Sequence, residues 1–136
     1  MSGAALKVDR AGKLRLSEAD VTQQCVDFLR AERWTCKRQH VGVFIPLAQK
    51  DKPDPQAVTI GETGDPDWLI MRVLTDRLPD GGSWPDLFYL EFKRPGGRLR
   101  PGQKLAHKAL RKDGWLVCVA HGLDELREWM AMVGLA

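Results

Sequence analysis

Two short motifs carry the residue types best suited to chemistry. The sequence Glu-Phe-Lys at 91–93 lies in an apolar, β-prone run, and because side chains alternate along a strand, Glu91 and Lys93 share one face. The sequence Gly-Asp-Pro-Asp at 64–67 puts Asp67 where an earlier β-prone run begins. Taken alone, the first motif is typical of a surface ion pair and the second of a turn. If the two runs pair as a hairpin, Asp67 approaches Glu91.

A metal ion is the chemical consequence of that approach. Two carboxylates held together repel each other unless a cation lies between them. Hard oxygen ligands of this kind select Mg²⁺ or Mn²⁺. The hairpin hypothesis therefore predicts a divalent metal site between Asp67 and Glu91.

Glu18 and Gln103 are weaker candidates on two predicted helices. At 100° per residue, Val21, Cys25 and Leu29 fall within 60° of Glu18, which places this acid on the buried stripe of its helix. The helix dipole explains an acid in the first turn but not that facing. Gln103 is a routine helix former, so it indicates little by itself.

The elements that must position these residues follow the order helix, three strands, helix, strand, helix. Ser17 is a good N-cap, and Asp20 makes a weak capping box with it, so a helix is predicted over residues 17–32. The remaining predicted elements are strands over 34–44, 67–74, 87–93 and 115–121, and helices from Pro101 to Gly114 and over 123–133.

The connecting segments are rich in chain breakers. Residues 46–66 hold six prolines and glycines, which leaves room for no more than brief pairing at 57–60. Residues 75–86 contain Pro79 and an Asp-Gly-Gly turn, as expected between the strands of a hairpin. Three tryptophans, at positions 34, 115 and 129, are predicted to be core residues.

Length and composition favour one domain in the cytoplasm. The chain has 136 residues, which we divide into a leader (1–16) and a single domain (17–136). Three widely spaced cysteines and three distant histidines argue against a structural zinc site and for reduced thiols. The N-terminus lacks the apolar run of a signal peptide, and the longest apolar run, 115–120, is too short for a membrane span.

Positive charge is concentrated in one segment. Residues 93–112 contain eight basic residues and no acid, so this window carries +8 against +3 for the whole chain, and the remainder carries −5. An isolated basic run is usually a solvated helix face. Because this run starts at the acid–lysine motif, it indicates a surface for a polyanion.

Taken in order, these residues resemble a known family. Glu on the first helix, Pro-Asp at a strand start, Glu-x-Lys on the partner strand and Gln on the next helix follow the order of the PD-(D/E)xK nuclease superfamily. More closely, the chain resembles the small stand-alone phage and bacterial members of the VRR-NUC (virus-type replication-repair nuclease) family. The resemblance covers about residues 17–121 and is carried by Ser17-Glu18, Gly64-Asp65-Pro66-Asp67-Trp68, Glu91-Phe92-Lys93-Arg94-Pro95, Gly97-Arg98-Leu99, Pro101-Gly102-Gln103 and Gly114-Trp115.

The resemblance implies a fold and a metal site. The expected fold is α/β, with a restriction-endonuclease-like αβββαβ core and a mixed sheet flanked by helices. Asp67, Glu91 and the backbone carbonyl of Phe92 would hold Mg²⁺ or Mn²⁺, with Glu18 as a further candidate ligand. Asp65 departs from the family pattern, and Asp67 is preferred as the ligand because it directly follows the proline and opens the strand.

Lys93 would position or activate the attacking water, and Glu18 and Gln103 would lie at the edge of the site. This agrees with the chemistry, since phosphodiester hydrolysis needs a metal to offset charge on the phosphate and a cation near the nucleophile. The basic segment would contact DNA phosphates through Arg94, Arg98, Arg100, Lys104, Lys108, Arg111 and Lys112.

The implied activity is a metal-dependent DNA endonuclease, structure-selective on branched DNA such as four-way (Holliday) junctions. By the same resemblance the protein acts as a homodimer, is cytoplasmic in a bacterium or encoded by a phage, and lies on the nucleoid when bound to DNA. Two alternatives stay open: a catalytically silent nucleic-acid-binding module of the same fold, and an exonuclease or RNA-directed nuclease that uses the same site.

Overall fold

The fold is built on one mixed four-stranded sheet. The structure, a computed structural model, describes residues 7–8, 14–39, 42–44, 48, 51–54, 56, 58–60, 64–74 and 84–136. Its helices are Glu18–Ala31 (α1), Pro101–Lys112 (α2) and Leu123–Met132 (α3). Its strands are Lys7–Val8 (β1), Leu14–Arg15 (β2), Thr35–Arg38 (β3), Gly42–Phe44 (β4), Val58–Ile60 (β5), Trp68–Leu74 (β6), Trp84–Phe92 (β7) and Val117–Ala120 (β8).

The main sheet has the strand order β3-β6-β7-β8. Strand β6 is antiparallel to both β3 and β7, whereas β8 is parallel to β7. A parallel neighbour requires a crossover connection, and α2 supplies it. The mixed α/β class with helices beside a mixed sheet is therefore confirmed. The predicted succession of helix, three strands, helix, strand and helix holds for the main sheet alone, because β1, β2, β4 and β5 are additional strands outside it.

Helix α1 begins as its sequence predicts. The Ser17 hydroxyl accepts a hydrogen bond from the Asp20 backbone N–H at 3.1 Å, and the Asp20 carboxylate accepts one from the Ser17 N–H at 2.9 Å. This capping box satisfies two N–H groups that the first turn leaves unpaired. The apolar stripe is buried, with Val21, Cys25 and Leu29 each fully covered.

The core lies on the face of the sheet that α1 and α3 cover. Alternate residues of β7 point into it, because Phe88, Leu90 and Phe92 are each at most 3% exposed. Trp34 and Trp129 pack against Phe88, with ring centroids 5.5 and 5.0 Å away. The intervening residues of β7, including Glu91, must therefore face the opposite side, toward α2.

Two strands differ from their predicted bounds. The strand predicted over 34–44 is divided into β3 and β4, and β4 pairs with β5 instead of the main sheet. The last paired position of β3 with β6 is Arg38 with Trp68, and just beyond it the Gln39 N–H donates to the Asp67 carbonyl at 2.6 Å. Strand β7 starts at Trp84, and Pro85 is tolerated there because β8 pairs with β7 only from Tyr89 onward.

The core prediction for tryptophan is wrong at one position. Trp34 is buried and Trp129 is partly buried against the core, but Trp115 is 48% exposed. Trp115 precedes β8, and its ring lies edge-on to Tyr89 at 6.1 Å, on the face of the sheet away from α1 and α3.

Some predicted segments lie partly or wholly outside the residues that the structure describes. The hairpin turn at 75–83 and most of the breaker-rich segment lie outside the described residues, although the expected brief pairing is confirmed as β5. Within the expected leader, β1 and β2 pair in antiparallel fashion. Among the helices described, none has the length and apolar character needed to cross a bilayer.

Candidate active site

The pairing of β6 with β7 brings the two predicted acids together. Trp68 is paired with Leu90, so the next position along the ladder puts Asp67 across from Glu91. The two carboxyl groups lie close enough for Asp67 to raise the pKa of Glu91 through its charge and through hydrogen bonding. Glu91 is 1% exposed, at the end of a central strand, and Asp67 is half-buried. The approach that the hairpin hypothesis required is therefore present.

Burial dominates the electrostatics of this acid pair. It raises the pKa of Glu91 to about 8, and the Asp67 carboxylate beside it acts in the same direction through its charge and its hydrogen bond. The Lys93 ammonium lowers the pKa of Glu91, and Glu18 raises it further. Because its pKa is raised, Glu91 keeps its proton to a higher pH than an ordinary glutamic acid does, and a divalent cation at the acid pair would take the place of that proton.

Gln103 is fixed between the acid pair and the start of α2. Its side-chain carbonyl accepts a hydrogen bond from the Arg100 N–H at 2.9 Å, which caps the helix. That contact determines the orientation of the amide, so the –NH₂ group points to Glu91 and donates to its Oε1 at 2.8 Å. The predicted role of Gln103 at the edge of the site thus has a geometric basis.

Lys93 occupies the face that strand alternation predicts. Its backbone N–H donates to the Ala120 carbonyl at 3.0 Å, which extends the β7–β8 ladder and keeps its side chain on the same face as Glu91. The turn that follows is tight: a Cβ on Gly97 would lie 2.9 Å from the Arg94 carbonyl oxygen and 3.3 Å from the Lys93 Cβ. His121 holds the turn through a 2.9 Å contact with the Gly97 carbonyl.

The loop that carries Asp67 is packed directly against α2. Gly64 has a φ of +94°, and a Cβ at this position would lie 2.6 Å from the Gly102 carbonyl oxygen and 3.2 Å from the Gln103 backbone nitrogen. A side chain is excluded both by the backbone conformation and by the close approach. This contact fixes the distance between the aspartate loop and the helix that carries Gln103.

Glu18 lies at the edge of the site and not in the acid pair. Glu18 lies on the side of α1 that carries the buried stripe. Its side chain is nevertheless exposed, because it comes before Val21, the first buried residue of the helix. Its charge is the weakest of the influences that raise the pKa of Glu91. The prediction that Glu18 points into the buried stripe is therefore wrong for the side chain, and its role as a metal ligand stays a prediction.

Two site residues were not predicted. His107 follows Gln103 by one helical turn on α2 and is fully buried, and the charges of Asp65, Lys93 and Asp67 act on its pKa. The i, i+4 spacing from Gln103 was the signal that would have found it. Gln39 pairs across β3–β6 with Asp67, and its side-chain Nε2 is buried without a hydrogen-bond partner among the described residues. No sequence signal indicates Gln39, because only the register between the strands places it there.

The donor set of the site fits a hard divalent cation. Mg²⁺ keeps several waters and commonly takes one or two carboxylates from the protein, as Asp67 and Glu91 would supply. In the part of the chain that the structure describes, no three His, Cys, Asp or Glu side chains are grouped as a metal site. The fit therefore rests on two carboxylates, with the Phe92 carbonyl, at the end of β7, as the predicted backbone ligand.

The basic segment lies on the exposed surface next to the site. Seven of its residues are exposed: Arg94, Arg98, Arg100, Lys104, Lys108, Arg111 and Lys112. Arg111 differs from the others, because its guanidinium donates to the Val117 carbonyl at 2.9 Å and so ties α2 to β8. The remaining six are the better candidates for contacts with a polyanion.

A cavity of about 570 Å³ lies on the other side of the sheet, between the ends of α1 and α3. Arg72 stacks over Trp34 there at 4.0 Å, and Glu32 and Glu128 lie nearby. Because this lining mixes both signs of charge without a convergent donor set, we place the candidate site at the acid pair.

The chain matches no protein-family model, and no curated protein or solved structure is significantly similar to it.

Proposed function

We propose that this protein is a Mg²⁺- or Mn²⁺-dependent nuclease of the PD-(D/E)xK type, with a restriction-endonuclease-like core and a site of the VRR-NUC kind. One observation carries the proposal: Asp67 and Glu91 meet on adjacent strands, with Lys93 on the same face and Gln103 hydrogen-bonded to Glu91. A surface ion pair would not need an acid that is 1% exposed, and a simple turn would not place Asp67 against it.

Each residue of the site has a distinct part in hydrolysis. Asp67, Glu91 and the Phe92 carbonyl would hold the metal, which supplies charge to offset that developing on the phosphate and lowers the pKa of a bound water. Gln103 keeps the Glu91 carboxylate oriented through its 2.8 Å hydrogen bond. Lys93 orients the attacking water and adds a cation beside the developing charge.

DNA is the proposed substrate because the exposed positive charge begins at the site itself. Arg94, Arg98 and Arg100 follow Lys93 directly, and Lys104 starts a row along α2. Contacts of this kind to phosphates set affinity and register but carry no sequence information. Selectivity for branched DNA, and the homodimer that would present two sites to a junction, belong to the proposal through the family resemblance.

The basic face of α2 gives a prediction for binding. Changing Lys104 and Lys108 together to Gln should weaken DNA binding and reduce the slope of log K against log salt by about two, roughly one for each phosphate that the protein no longer neutralises. Metal affinity should not change. Fluorescence anisotropy over a salt series measures the slope, with Arg127→Gln on α3, which removes one positive charge away from the basic segment, as the control.

Arg111→Gln should behave differently. Arg111 is hydrogen-bonded to the Val117 carbonyl, so its replacement should lower the melting temperature. The slope of log K against log salt should change little. An unchanged slope in the double lysine variant would show that this helix face does not contact DNA.

The decisive test of the function is cleavage by purified protein with Mn²⁺ and with Mg²⁺. Linear duplex, single-stranded DNA, four-way junctions and RNA should be compared, with EDTA as the control and light scattering to give the oligomeric state. Metal-dependent internal cuts, greatest on the junction, are the expected result. Cleavage from ends or of RNA would redirect the proposal to the alternative substrates, and binding without any cleavage would overturn it in favour of a silent binding module.

A further inference from the structure

Trp115 is a large aromatic residue that folding leaves half in solvent. It is 48% exposed and lies on the face of the sheet that carries the acid pair, away from the core. Burial of an aromatic ring stabilises a fold, so packing alone does not account for a tryptophan that stays half exposed. Single exposed apolar residues are nevertheless common, and Trp115 is informative because of what surrounds it.

The backbone of Trp115 is held in place by the end of α2. Gly114 has a φ of +95°, and its N–H donates to the Arg111 carbonyl at 3.0 Å. The Trp115 N–H donates to the Leu110 carbonyl at 3.1 Å. Together these two bonds form the Schellman motif that ends many helices, so the ring is presented from an ordered helix end.

One side of the ring is in contact with Tyr89, and the rest of it is accessible. The two rings meet edge to face, with their centroids 6.1 Å apart and their planes at 85°. A contact of this geometry occupies at most one face of the indole. With about half of the residue in solvent, a face remains for a second flat ring.

Tyr89 connects this ring to the candidate active site. Tyr89 and Glu91 are two residues apart on β7, so their side chains share one face of the sheet, about 7 Å apart along the strand. Leu69, which pairs with Tyr89 on β6, is half-buried on the same face. The face that carries the acid pair therefore continues as an apolar and aromatic surface that ends at Trp115.

A row of basic residues along α2 leads to the same point. Lys104 and Lys108 are exposed one helical turn apart, and Lys112 is exposed three residues before Trp115. Asp113, at the C-cap, is the single acid between Lys104 and Trp115. Cations beside an exposed aromatic ring are the combination that binds single-stranded nucleic acid, because the cations contact phosphates and any base can stack on the ring.

We propose that Trp115, supported by Tyr89, is a stacking site for an unpaired base of the DNA strand whose phosphates contact α2. The preferred substrate then has unpaired nucleotides beside the bond to be cut, such as those at a branch point, because the bases inside a continuous duplex are stacked on one another. This inference rests on the proposed nuclease function for the substrate, although binding of an unpaired strand does not itself require cleavage.

Two replacements of Trp115 separate stacking from packing. Trp115→Phe keeps an aromatic face, whereas Trp115→Leu keeps an apolar side chain at the end of α2 and removes the face. The affinity for fluorescein-labelled oligothymidylate, measured by anisotropy in EDTA, should fall by roughly 5- to 100-fold in Trp115→Leu, as is typical when one base loses its stacking partner. Trp115→Phe should retain most of the affinity, and the affinity for a blunt duplex should change little in either variant.

Leu105→Ala is the control for the loss of apolar surface alone, because Leu105 is 70% exposed on the same basic helix. It should leave both affinities unchanged. An unchanged affinity of Trp115→Leu for oligothymidylate would overturn the proposal, and so would an equal loss for the single strand and the duplex. Sedimentation velocity adds one more outcome: self-association that Trp115→Leu abolishes would assign the ring to a contact between two copies of the chain, which also overturns the proposal.

A fluorescence titration tests the stacking with the conservative variant only. A base stacked on an indole quenches its emission, so oligothymidylate should quench the wild type more strongly than Trp115→Phe. Equal quenching of the two proteins would place the strand away from Trp115 and overturn the proposal, even if DNA is cleaved. If the protein cleaves no substrate but the difference in quenching is found, the stacking site stands and only the nuclease function fails.

Discussion

Replacing Glu91 with Gln, or Asp67 with Asn, is expected to abolish metal-dependent cleavage while the protein stays folded and binds DNA. A bound metal contributes several kcal/mol to stabilising the transition state, so its loss corresponds to a rate lower by roughly 10³-fold or more. Each substitution keeps the size of the side chain and removes the charge that would hold the cation.

The geometry predicts that these variants lose activity without losing stability. Gln at position 91 still presents a side-chain carbonyl to the Gln103 –NH₂ group, which now donates at 2.8 Å. Each change also removes the repulsion between two neighbouring carboxylates, which destabilises the folded protein whenever both are ionised. Thermal unfolding should therefore give melting temperatures at or above that of the wild type at pH 8.

Lys93→Ala is the third variant of the candidate site. Glu128→Gln, on the exposed face of α3, is the control for Glu91→Gln, because it makes the same change outside the site. Lys93→Ala should lower the rate strongly while metal binding, measured by calorimetry, is retained. Wild-type cleavage by repurified Glu91→Gln or Lys93→Ala would show that the assigned site is not the catalytic one.

The local signals in the sequence were sufficient for the three helices and for the strands of the main sheet. The Ser17 cap and the apolar stripe fixed α1, and the two-residue period placed Glu91 and Lys93 on one face. The pairing of Asp67 with Glu91 needed one assumption, that the two runs form a hairpin, and the register confirmed it.

What the sequence did not indicate depends on neighbours distant in the chain. Gln39 enters the site only through the β3–β6 register, which places it across from Asp67. His107 is the one buried residue of α2, and its burial depends on neighbours outside that helix. Trp115 is apolar, but it lies on the face of the sheet away from the core, and its residue type does not show which face it will occupy.

The free energy of unfolding of the metal-free protein is expected to decrease as the pH rises from about 5 to about 8. The pKa of Glu91 is about 8 in the folded chain against an ordinary value of 4.5, so over this range the folded state retains a proton that the unfolded state has released. The contribution of Glu91 to the free energy of unfolding is then fully present below its ordinary pKa of 4.5. It is lost as the pH rises through its pKa in the folded chain, about 8. One proton limits the slope to about 1.4 kcal/mol per pH unit.

Glu91→Gln isolates this contribution, because it removes the titrating acid and retains every other group. His107 acts in the opposite sense, since its lowered pKa makes stability increase with pH near its ordinary value of 6.5. The wild type and Glu91→Gln share His107, so the difference between their urea denaturation curves cancels its effect. The two proteins also share the buried thiols of Cys25 and Cys118, whose raised pKa makes stability decrease as the pH approaches 9, so the same difference cancels their effect.

Mg²⁺ should reverse the trend, because a cation that replaces the shared proton binds better once that proton is gone. The stabilisation by a fixed excess of Mg²⁺ should therefore be larger at pH 8.5 than at pH 6 in the wild type, and small at both in Glu91→Gln. This comparison needs neither DNA nor turnover, so it tests the metal site separately from the nuclease. Equal stabilisation of wild type and Glu91→Gln at both pH values would place the cation elsewhere on the protein, and a pH slope shared by both would remove Glu91 as its source.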